Sequence, residues 1–74
     1  MQLNKLKLSK YAKVMDINCE GLDRRRFLDL GIIKGTVLRP IFVSPLGDPT
    51  AYEIRKSIIA LREEDARKIK VVEL

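Results

Sequence analysis

The densest run of reactive charge in the chain is Arg24-Arg25-Arg26. Three consecutive guanidiniums could clamp phosphates, because each offers a fork of donors to two oxygens. On a helix, however, neighbouring residues point about 100° apart, so the three cannot form one flat patch. Asp23 and Asp29 also partly neutralise them, and a solvated helix face accounts for the run better than a phosphate site. Cys19 is the only thiol, and the chain has no His. A nucleophilic Cys would lack its base, and a lone thiolate is a poor metal site. The one acidic cluster, Glu63-Glu64-Asp65, suits the first turn of a helix, where carboxylates oppose the positive end of the dipole. Neither Gly31 nor Gly35 is followed by the Lys-Ser or Lys-Thr of a phosphate-binding loop. With no nucleophile–base pair and no acid–base dyad, the expectation is a protein that is not an enzyme and holds no cofactor and no metal.

The elements that would position these residues are short. Residues 12–17 read as a strand with Val14 and Ile17 inward, and their odd spacing calls for a bulge or a strand end. Residues 22–30 contain helix formers and no β-branched residue, with Phe27 and Leu30 on one face and Gly31 suited to a left-handed cap. A strand over 36–43 contains Pro40, which cannot donate to a ladder and so marks an edge or a bulge. The turn formers of 44–50 make a loop. Strands follow at 51–55, with Tyr52 and Ile54 alternating against Glu53 and Arg55, and at 58–61, with Lys56 and Ser57 turning the chain between them. Residues 63–68 form a helical turn in which Glu63–Arg67 and Glu64–Lys68 have pairing distance, and 69–73 is a last strand. The fold class expected is mainly β: a small, strongly bent antiparallel barrel of about five strands, with one helix between strands 1 and 2 and a short helical turn before the last strand. Closure would hide the strand edges that an open sheet exposes.

A chain of 74 residues forms one small domain, 1–74, which buries only about 60% of its unfolded surface and has no room for a large internal cofactor. Its 46% hydrophobic and 34% charged residues place it with globular rather than disordered sequences. The net charge of +5 suggests nucleic acid until its distribution is read. Residues 1–13 hold Lys5, Lys7, Lys10 and Lys13 and no acid, whereas residues 14–74 hold eleven basic against ten acidic side chains. The body is nearly neutral. Leu3, Leu6 and Leu8 interleave with the lysines, so the arm can pack its leucines and leave its lysines in water; a free arm drawn to anionic lipid is the competing arrangement. No apolar run approaches the roughly 20 residues of a membrane span. A small domain with no disulfide belongs in a reducing compartment, so a cytoplasmic location is expected.

The ordered set Arg26-Phe27-Leu28-Asp29-Leu30-Gly31, Lys34-Gly35-Thr36, Pro45-Leu46-Gly47-Asp48-Pro49, Ile59-Ala60-Leu61-Arg62 and Glu64-Asp65-Ala66 resembles the FeoA family, ferrous iron transport protein A, over about Leu3 to Val72. The resemblance implies an SH3-like barrel, which agrees with the strand reading. It also implies a non-enzymatic cytosolic accessory of bacterial ferrous iron uptake, whose partner is FeoB, a membrane transporter with a cytosolic GTP-binding domain. The chain would then be peripheral to the membrane through that partner. Against the family's usual pattern, Lys56 stands where a glycine precedes the fourth strand, and Leu8-Ser9 stands where Pro-Gly is usual. A positive φ would strain Lys56, so this turn is expected to differ from the family's. Related SH3-like modules end iron-dependent repressors; a start at Met without a preceding DNA-binding domain favours the stand-alone form.

A protein without a reaction site acts through its surface. Leu46 is a candidate anchor at the tip of its loop, although it could equally fold back over an open barrel end. Arg24 and Arg25 could meet an acidic partner surface. Arg26, Asp48 and Tyr52 complete the partner-binding set expected here. A nucleic-acid-binding barrel is the alternative, opposed by the 5% aromatic content, and no nucleic-acid partner is expected. Homo-oligomers, and iron held between copies, are compatible with the sequence.

Overall fold

The computed structural model describes all 74 residues. Five strands, β1 (Ala12–Ile17), β2 (Val37–Val43), β3 (Thr50–Ile54), β4 (Ser57–Leu61) and β5 (Ile69–Glu73), form one antiparallel sheet in the order β4-β3-β2-β1-β5. Helix α1 (Gly21–Asp29) joins β1 to β2, and a single helical turn, α2 (Glu63–Ala66), precedes β5. The mainly β fold, the helix between the first two strands and the turn before the last are as the sequence predicts. Closure is not: β4 and β5 remain the two edges of a bent, open sheet.

The local signals act where they are expected. The β1–β5 register shifts between Val14 and Asp16, and this bulge adds the residue that returns Ile17 to the core side. Pro40 lies in the central strand rather than on an edge, and the β2–β3 register shifts just past it. The ladder thus breaks beside the residue that cannot donate. Gly31 ends α1 at φ 84°, and a Cβ there would come within 3.3 Å of the Arg55 side chain. Thr36 locks the connection to β2, its hydroxyl donating to Gly31 O at 3.0 Å and accepting from Ile33 N at 3.2 Å. Phe27 is the residue that α1 buries, while Leu30 packs at the margin of the core and Leu28 stays half-exposed.

Two expected details change. The β3–β4 turn is Arg55-Lys56, with φ of 51° and 70° closed by the Ile54–Ser57 pair, one residue earlier than Lys56-Ser57. Two positive φ values are what a two-residue hairpin needs to match strand twist. Lys56 therefore adopts the conformation expected to be avoided there. Ser9, at the position of the family's usual glycine, is likewise left-handed at φ 67°. The pairs Glu63–Arg67 and Glu64–Lys68 are also absent from the ion pairs. The helix stops at Ala66, so the two cations lie past its end, and Lys68 turns to Asp23 instead.

The N-terminal segment is packed rather than free. Leu3 and Leu6 enter the core, with Leu3 in a single 3₁₀ turn (Leu3–Lys5), while Leu8 remains half-exposed. Gln2 bridges Lys70, and Met1 and Val71 exchange hydrogen bonds of 2.8 and 2.9 Å. This segment shields the β5 edge, whereas β4 has no such cover.

Candidate interaction surface

The loop from Ser44 to Pro49 is a compact turn. Gly47, at φ 90°, donates to Ser44 O at 2.8 Å, and Ser44 donates to Pro49 O at 3.0 Å. The Asp48–Pro49 bond is cis. The hydrogen-bonded turn at Ser44–Gly47 holds Leu46 at its tip, clear of the sheet and 95% exposed. Of the two arrangements open to Leu46 in the sequence, the structure adopts the exposed one. Asp48 turns the other way. Its Oδ1 accepts from Glu63 N at 2.9 Å, satisfying a free donor at the start of α2 in the manner of a cap supplied from another segment.

The arginines divide. Arg24 and Arg25 are exposed, and Arg24 makes one long hydrogen bond, from Nη1 to Ile17 O at 3.4 Å. Arg26 is committed within the fold. It donates to Asp65 Oδ1 at 2.8 Å, lies 3.8 Å from Asp23 and stands 5.1 Å over the Phe27 ring. The hydrogen bond to Asp65 raises the Arg26 pKa above its ordinary value. Lys68 completes the latch at 2.9 Å from Asp23, and this bond holds the Asp23 carboxyl below its usual range. α2 is thus the meeting point of Arg26 from α1 and Asp48 from the loop.

Tyr52 is not on the surface. Its side chain is 3% exposed within the core, because it shares the inward face of β3 with Ile54. Burial pushes its hydroxyl up to about 12, against a hydrogen bond with Thr50 that acts in the opposite direction. Its alternation with Glu53 accounts for that inward placement, which leaves little of Tyr52 for a partner to touch. Cys19 is half-buried, and desolvation followed by the Asp23 charge raises its thiol pKa. That is the opposite of activation. No three of the Cys, Asp and Glu side chains gather in an arrangement that could hold a metal ion, and no helix is long and apolar enough to cross a membrane.

Leu46, Arg24 and Arg25 are exposed with at most one long internal hydrogen bond, whereas Arg26 and Asp48, also exposed, are engaged within the fold and Tyr52 is buried. A second exposed surface, on the outer side of β1 and β5, went unmarked in the sequence reading. Its signal was present in the positions between Ala12, Val14, Ile69 and Val71, all of them buried.

One bent five-stranded sheet, with a helix inserted after its first strand, is the architecture of a small SH3-like β domain. The family model for the FeoA domain matches residues 1–73, and the chain belongs to that family, which is associated with ferrous iron transport. It is 34% identical over 71 residues to an Fe(2+) transport protein A/Fe(2+) transporter FeoB fusion protein of Porphyromonas gingivalis, covering 96% of this chain and 8% of that relative. The chain thus spans under a tenth of the fusion protein. The solution structure of FeoA from Chlorobium tepidum superposes with a TM-score of 0.92 at 34% identity, covering 100% of this chain and 70% of that one. The zinc complex of Stenotrophomonas maltophilia FeoA, described as a prokaryotic SH3 domain protein, superposes with a TM-score of 0.84 at 28% identity, covering 97% and 89% of the two chains.

Proposed function

We propose that this chain is a non-enzymatic cytoplasmic accessory of ferrous iron uptake. In this reading its 74 residues act as one domain that docks on a FeoB-type membrane GTPase and modulates its nucleotide hydrolysis or gating. The observation that carries the reading is the fusion relative, in which a FeoA unit and a FeoB transporter share one polypeptide. Fusion raises the effective concentration of two modules that act together. The exposed anchor Leu46 and the exposed Arg24 and Arg25 are the contacts assigned to the partner, with the arginines set against an acidic surface. A domain without reacting groups changes its partner only by binding one conformation more tightly than another. The expected behaviour is therefore nucleotide-dependent affinity.

The test is a pull-down of the cytosolic part of FeoB by this chain, with GTP analogue, with GDP and without nucleotide. Capture that differs between states supports the reading. Absence of capture in every state at low salt overturns it.

A further inference from the structure

The outer face of the sheet carries cations and apolar side chains in alternation. β1 turns Lys13 and Met15 away from the core between the buried Ala12, Val14 and Ile17. Register sets Lys13 opposite Val37 of β2 on one side and opposite Val72 of β5 on the other. Met15 and Val37 are each 43% exposed and Val72 is 46% exposed, on a face that antiparallel sheets usually give to polar residues. A shallow depression beside them is bordered by Met1, Met15, Asp16, Lys34, Lys70 and Val72. The ion pairs of the molecule engage only Arg26, Arg39 and Lys68 among its cations, so Lys13, Lys34 and Lys70 have no carboxylate partner. Asp16, the one carboxylate there, lies across the ladder from Lys70 without pairing to it and turns Oδ1 back to Ile17 N at 2.9 Å.

We propose that this face, centred on Lys13 between Val37 and Val72, docks peripherally on an anionic lipid surface. The lysines reach lipid phosphates while the Met and Val side chains enter the boundary between headgroups and acyl chains. Charge complementarity and the alternation together select this occupant. A nucleic acid would satisfy the lysines but leave three apolar side chains against a charged backbone, and the nearby aromatic ring, Tyr11, is already occupied by Arg39 at 5.2 Å. A protein partner is less well matched, because the apolar groups are dispersed among lysines rather than pooled in a groove. α1 packs Phe27 into the core, on the other side of the sheet, so lipid docking leaves Arg24 and Arg25 open to a protein partner.

The experiment is co-sedimentation of the full chain with vesicles of phosphatidylcholine alone or with added phosphatidylglycerol, at low and high salt. No transporter is present, so the result is independent of partner docking. Partition into the anionic vesicles only, falling with salt, is the expected result. Lys13→Gln with Lys70→Gln should weaken it roughly 25-fold, each lysine near such a surface accounting for about fivefold. Lys5→Gln with Lys7→Gln, on the segment that covers the core side, should cost much less, and circular dichroism checks that both variants fold. Three results would overturn the proposal: no partition into phosphatidylglycerol vesicles at low salt, equal loss from the two pairs, or tighter lysine-dependent binding to a short DNA duplex.

Discussion

Arg26 of α1 and Asp65 of α2 meet at 2.8 Å across 39 residues of sequence, with Asp65 only 13% exposed. The contact ties the helix that follows β1 to the turn that precedes β5, and these two strands are neighbours in the sheet. Removing either partner by Arg26→Ala or Asp65→Ala should cost about 1 kcal/mol in urea unfolding, with a coupling of about 0.5 kcal/mol in the double-mutant cycle. Purely additive losses would show that the pair forms without stabilising the fold.

Tyr52 gives the fold an alkaline limit. Its hydroxyl titrates near 12 in the folded protein against 10.0 ordinarily. A raised folded value means that this stability is fully present below pH 10 and is lost as pH rises from 10 toward 12, at about 1.4 kcal/mol per unit. The stability of the wild type relative to Tyr52→Phe, compared by denaturant unfolding at pH 9 and 11 on either side of the ordinary value, should fall by about 1.4 kcal/mol at the higher pH. A constant difference would mean that the phenol ionises as freely in the fold as outside it.

Lys56→Gly should stabilise the protein. Lys56 sits at φ 70° in the β3–β4 turn, where glycine avoids the clash of a side chain with the backbone. The expected gain is about 0.5–1 kcal/mol, after the greater freedom of glycine in the unfolded chain is offset. A lower melting temperature would show that the lysine side chain contributes more than its backbone strain costs.

Leu46→Ala separates docking from stability. At 95% exposure the side chain contributes little to the core, so the melting temperature should hold within about 4 °C for a change under ~0.5 kcal/mol. Affinity for the FeoB cytosolic domain should fall about tenfold or more if Leu46 is a buried anchor in the complex. Unchanged affinity would remove the loop from the interface.

The features legible in the sequence are those with a local cause. The odd spacing of Val14 and Ile17 announced a bulge, Pro40 marked a break in the ladder, and Gly31 stopped a helix. Each depends on the chemistry of one or two residues, as do the five strands built from them. What stayed hidden depends on distant partners. Asp65 and Lys68 looked like members of a helix, but their partners Arg26 and Asp23 belong to α1. Asp48 looked like a surface carboxylate in a loop, yet it caps a helix that begins fifteen residues later. The burial of Tyr52, by contrast, was legible in its alternation with Glu53. Lys56 shows the reverse: a residue unsuited to its turn takes the turn geometry that the strands on either side impose.

The pairing of β1 with β5, sealed by Met1 against Val71, makes the first and last segments of the chain interdependent. Without residues 69–73, β1 has no neighbour on one flank, and Leu3 and Leu6 lack Ile69 and Val71 beside them in the core. The core is complete only when residues 69–73 join it, because Ile69 and Val71 are members of it. Folding therefore has to bring the two ends of this domain together, and its rate is governed by that non-local pairing rather than by any single turn.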